Sequence, residues 1–128
     1  MSSETAFDRF MELLELRQNV RYGHQPLAKH QLQRWSQLEQ SGFANLCNCQ
    51  KRKVYHQQFR LLIDTIGDEL VNIEWRRLCV RQILYTLQGL QSISHSAPHK
   101  ERLLTLEDEL YQICQYALPT IGQQADPV

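Results

Sequence analysis

Apolar residues return every three or four positions along most of this chain, and that spacing constrains the fold more than any other feature. Phe59, Leu62, Ile66, Leu70, Ile73, Val80, Leu84 and Leu87 hold nearly one phase, the spacing that lays one face of an α-helix against a core. The same period runs through Phe7, Phe10, Met11, Leu13, Leu14, Leu16 and Val20 near the start, and through Leu103, Leu106, Leu110, Ile113 and Ala117 near the end. In the first of these segments Glu4, Asp8, Glu12 and Glu15 precede Arg17 and Arg21, the order a helix dipole favours.

Punctuation divides the pattern into helices. Gly23 stops the first, and Pro26 suits the first turn of a second that carries Leu27, Ala28, Leu32, Trp35 and Leu38 and is capped by Gly42. A connector from Phe43 to Cys49 follows. The long stripe either forms one helix of about 40 residues, roughly 60 Å long, or breaks at Ile66-Gly67-Asp68 with Asp68 as the N-cap. The break is the expectation, because a 60 Å rod is awkward in a compact chain of 128 residues. Ser96 caps a last helix that Pro119 ends. The spacing therefore predicts an all-α, single-domain bundle of four or five helices near 5–21, 26–41, 50–66, 68–92 and 97–118, within a domain of 1–118, and a flexible tail over 119–128.

Composition narrows the function classes. Lys and Arg number 14 against 14 Asp and Glu, so no net field draws the whole chain towards nucleic acid or membrane. No run of about 18 apolar residues predicts a transmembrane helix, and the polar start lacks a secretory signal, which points to the cytoplasm. Cys47, Cys49, Cys79 and Cys114 are irregularly spaced, with the last two set in apolar pattern, as expected of reduced thiols. Cys47-Asn48-Cys49 has no second ligand pair to complete a zinc site with His24, His30, His56, His95 or His99, the last two lying in a loop around Pro98. No nucleophile elbow, glycine-rich phosphate loop or paired carboxylates stand out, and neither His30 nor His56 has the following Lys-Gly of a phosphotransfer helix. The expectation is a protein without enzymatic activity, metal or cofactor.

Two segments suit binding. Between 51 and 66, Lys51, Arg52, Lys53 and Arg60 stand against Asp64 alone, four positive charges to one negative. Tyr55, His56 and Phe59 lie among them, and this mixture of cations and rings holds phosphates while bases stack. The competing interpretation is a solvated helix start with Phe59 in the core, since three consecutive cations on a helix point in different directions. Trp75, Arg76 and Arg77 form the second segment, because Trp and Arg anchor protein interfaces. Trp75 lies off the main stripe and suits either a buried central helix or a partner surface. The stripe through 59–87 also leaves room for pairing with a second copy.

The stretch Gln50-Lys51-Arg52-Lys53-Val54-Tyr55-His56-Gln57-Gln58-Phe59 and the later Cys114-Gln115-Tyr116-Ala117-Leu118-Pro119-Thr120-Ile121 resemble the primosomal replication protein N″ family, helical proteins of bacterial replication restart. That family continues its basic stretch with Glu-Arg-Arg-Leu, where this chain has Arg60-Leu61-Leu62-Ile63. The resemblance implies a non-enzymatic factor that contacts single-stranded DNA, its binding protein and the replicative helicase, with Lys51, Arg52, Lys53 and His56 as the contact positions. The rival expectation is a regulatory adaptor or chaperone-like protein that holds one protein client through helix faces and binds no nucleic acid.

Overall fold

A computed structural model describes residues 5–23 and 28–117, with the backbone alone for 28 and 29. Five helices run in order: α1 (Ala6–Tyr22), α2 (Ala28–Gln40), α3 (Asn48–Ile66), α4 (Ile73–Ser92) and α5 (Ala97–Ala117), with a short 3₁₀ turn at Phe43–Asn45 between α2 and α3. This is an all-α bundle, and the described residues hold no strand. The expected tail and the contribution of Pro26 lie outside the described residues.

Each boundary has a local cause. Thr5 Oγ1 accepts from Asp8 N–H (3.0 Å) and the Asp8 carboxylate accepts from Thr5 N–H (3.3 Å), closing a capping box that starts α1. Gly23 ends α1 in the left-handed region at φ 61°, its N–H donating to Asn19 O at 2.8 Å. Gly42 does not act in this way: its φ is −97°, and Ser41 closes α2 instead, with both N–H and hydroxyl donating to Leu38 O. Ser96 begins α5, its hydroxyl accepting from His99 N–H (3.4 Å). Pro98 therefore sits in the first turn of a helix, where its missing N–H costs nothing, rather than in a loop.

The long stripe does break after Ile66, but Asp68 is not the cap. Its carboxylate is taken up by Leu70 N–H (2.9 Å) and by Arg21 (2.8 Å), so the chain turns over 67–72 before Asn72 caps α4 by accepting from Glu74 N–H (2.8 Å). The turn resets the helical phase. Leu70 consequently stands 96% exposed and Leu84 is also exposed, whereas Phe59, Leu62, Ile66, Ile83 and Leu87 are buried. The stripe that suggested self-pairing is largely consumed by the core.

α4 folds back antiparallel on α3, giving the most extensive helix pair. Tyr55 meets Gly89, Gln58 accepts from Thr86 (3.4 Å), and Arg76 Nε donates to Ile66 O (2.8 Å), so contacts run up one helix and down the other. α5 lies parallel to α3, with Glu109 opposite Arg60 and Ile113 beside Gly67. Parallel packing places the N-termini of α3 and α5 at the same end of the bundle. The core between the helices is built on Trp35, Phe59, Leu62, Ile66, Ile83, Leu90 and Leu106.

α1 departs from its expected broad buried face. Only Leu16 and Val20 are buried, while Phe7, Phe10, Met11 and Leu14 are exposed.

Candidate functional site

At the shared N-terminal end of α3 and α5 lies a cleft of about 600 Å³. Cys49, Arg52, Lys53 and His56 reach it from α3, and His99 and Arg102 from α5. Leu90, Leu103 and Leu106, all buried, form its floor with Pro98 beside them. No carboxylate lines it. The volume falls inside the range of about 300–1,000 Å³ typical of small-ligand sites.

The helix sorts the basic-aromatic run as 100° per residue demands. Arg52, Lys53 and His56 face the cleft, Arg52 held in place by donating to Ile93 O at 3.1 Å. Lys51 and Tyr55 point instead to the 3₁₀ turn. The Lys51 ammonium lies 5.9 Å from the Phe43 ring centroid, and Tyr55 packs edge-on against the same ring at 5.2 Å. Arg60 forms a two-bond ion pair with Glu109 (2.6 and 3.1 Å), an exposed pair that raises the arginine and lowers the carboxyl. Phe59 is core. Three of the six expected contact residues thus converge and three do not.

The cleft gathers cations without a carboxylate among its lining residues. Among the described residues, neither Lys53 nor Arg102 makes a hydrogen bond or an ion pair. Elsewhere Arg17 pairs with Glu39, Arg21 with Asp68, Arg34 with Glu12 and Arg77 with Glu74. Burial first, and then the charges of Arg102, Arg52 and His99, push the His56 imidazole below its ordinary value of 6.5. Both helix N-termini add partial positive charge at this end. An anion is what this arrangement can hold.

The thiols divide by environment. Cys79 is pushed up to about 12 by burial, and burial also raises Cys114, so both stay protonated. Cys47 caps α3 and is lowered, chiefly by the hydrogen bond it accepts from Gln50 N–H. Among the described residues no group of three or more His, Cys, Asp or Glu side chains is placed to hold a metal ion, and His24 lies outside them. No helix among them is long and apolar enough to cross a membrane.

The second expected segment is corrected by burial. Trp75 is 4% exposed, and its indole Nε1 donates to Val20 O at 2.7 Å. Arg76 is buried as well, satisfying Ile66 O at the end of α3. Both join helices inside the fold and present nothing to a partner. Only Arg77 reaches the surface, beside Glu74.

Sequence reasoning weighed His99 only as a metal ligand and missed Arg102. Their signal was present, since His95, His99, Lys100 and Arg102 fall within one short stretch in which Glu101 is the one acidic residue. Nothing in the sequence says that this stretch faces Arg52. No protein family, no curated protein and no solved structure matches this chain.

Proposed function

We propose that this is a non-catalytic binding protein of the replication-restart type, which holds single-stranded DNA in the cleft between α3 and α5 and meets protein partners elsewhere on its surface. One observation carries the reading. Arg52, Lys53, His56, His99 and Arg102 surround an apolar floor with no carboxylate among them. Unpaired bases stack on apolar surface while cations track the phosphates, a mode indifferent to sequence.

The magnitude follows from the number of permanent cations. Three of them (Arg52, Lys53 and Arg102) give a slope of log affinity against log salt of about −2, so raising salt fourfold weakens binding about 20-fold. Fluorescence anisotropy with labelled oligothymidylate measures this directly. Reversing Lys53 and Arg102 to Glu should abolish binding while the helical circular dichroism is retained. Unchanged affinity in that variant, or no binding at low salt, overturns the reading.

A second reading, an adaptor for one protein client, draws on the exposed row Phe7, Phe10, Met11 and Leu14 of α1. Exposed apolar rows of this kind mark protein contacts. Phe7→Ser with Phe10→Ser should then remove client capture and leave the fold intact.

A further inference from the structure

The positive charge of the cleft is concentrated in one place rather than strung along a groove. Three permanent cations and two imidazoles meet at one small opening, and Lys53 and Arg102 have no partner among the described residues. Further along the same two helices Arg60 is matched by Glu109 with two hydrogen bonds. An internal phosphodiester brings one negative charge. A terminal phosphate monoester brings about −1.5 to −2 at neutral pH and three free acceptor oxygens.

We propose that the cleft receives the end of an unpaired DNA strand, seating a terminal phosphate against Arg52, Lys53 and Arg102 and the adjoining base on Leu90, Leu103 and Leu106. The proposal rests on the single-strand reading above and narrows its ligand from a strand to a phosphorylated end. Size agrees, because about 600 Å³ fits the scale of one small ligand rather than a groove for many nucleotides. The floor agrees as well. It offers buried leucines on which a base can stack, with Gln57 and Ser94 as the uncharged polar side chains of the cleft.

The charged surroundings of His56 are consistent with a dianion. From α3 it is faced by Cys49, Arg52 and Lys53, from the link before α5 by Ser94, and from α5 by His99 and Arg102; α4 contributes only Leu90. Glu109, the carboxylate that feels Arg102, is held by Arg60. Burial and these cations hold His56 below its ordinary value, and a nearby dianion would oppose that shift.

Competition anisotropy on the full chain tests the idea. A labelled oligothymidylate is displaced by short unlabelled oligothymidylates of one length, ending in hydroxyl groups, in a 5′-phosphate or in a 3′-phosphate, and by a closed circle without ends. The expected result is that a phosphorylated strand competes about tenfold better than the hydroxyl strand or the circle, the scale of one charge-assisted contact. Arg102→Gln with Lys53→Gln should erase that preference while thermal unfolding stays cooperative. The 5′- and 3′-phosphate arms tell which end is seated. Equal competition by phosphorylated strand and circle overturns the end-binding proposal and leaves the single-strand reading standing. A preference that survives the double substitution also overturns it, by moving the phosphate elsewhere. No displacement or binding by any strand overturns both.

Discussion

Replacing Trp75 by Phe separates the structural role of this residue from the interface role that its type suggests. The last carbonyls of α1 have no helical partner, and Val20 O is one of them. Trp75 Nε1 donates to it at 2.7 Å in a buried setting, with Val71 and Gly23 alongside. Phenylalanine removes the donor and leaves that carbonyl unsatisfied, which costs about 1–3 kcal/mol. Loss of the larger ring adds about 1 kcal/mol through the space it vacates. The total of about 2–4 kcal/mol is a large fraction of the roughly 5–15 kcal/mol that holds a domain together. For a chain of this length it lowers Tm by roughly 6–20 °C. Thermal and urea unfolding followed by circular dichroism measure it. Gly23→Ala should act on the same contact from the other side. A Cβ there would lie 2.8 Å from the indole Cδ1, at a φ that disfavours any side chain. A Trp75→Phe protein with unchanged Tm would refute the argument, and loss of partner capture with stability intact would return Trp75 to the interface.

Two further outcomes are expected. Because the folded state holds His56 below its ordinary 6.5, the unfolded chain binds more protons as pH falls through that value, so stability should decline there and His56→Gln should flatten the decline in urea titrations between pH 8 and about pH 5. At Gly89 a Cβ would collide with the Tyr55 ring, so Gly89→Ala should destabilise by about 1–3 kcal/mol despite the better helix former. In a Tyr55→Ala background the same change should cost nothing, and an unrelieved cost in that double-mutant cycle would place the strain elsewhere.

Helix identity was legible because it depends on nearest neighbours along the chain. The three-and-four spacing, the capping serine at 96 and the glycine at 23 act within a turn or two, and the helices start or end close to those residues. Gly42 misled because a glycine after a helix resembles a left-handed cap whether or not the backbone adopts one. Asp68 misled because its carboxylate has two takers, Leu70 N–H nearby and Arg21 from a distant helix. Leu70 kept the helical phase in sequence and lost it in space once the 67–72 turn intervened.

Facing relations are a different matter. The chain by itself determined an all-α fold, the positions of its breaks and the basic composition of 51–60, since each rests on local dihedral preference and local charge. Tertiary packing alone decided that Trp75 and Arg76 lie inside, that Arg60 is neutralised by Glu109, and that His99 and Arg102 complete a cleft with Arg52, Lys53 and His56. The reason is geometric. An α-helix distributes consecutive residues around its whole circumference, so only the neighbour that packs on each side determines whether a charge is buried, paired or left for a ligand. Here that neighbour is α5, about 50 residues away in sequence and parallel to α3.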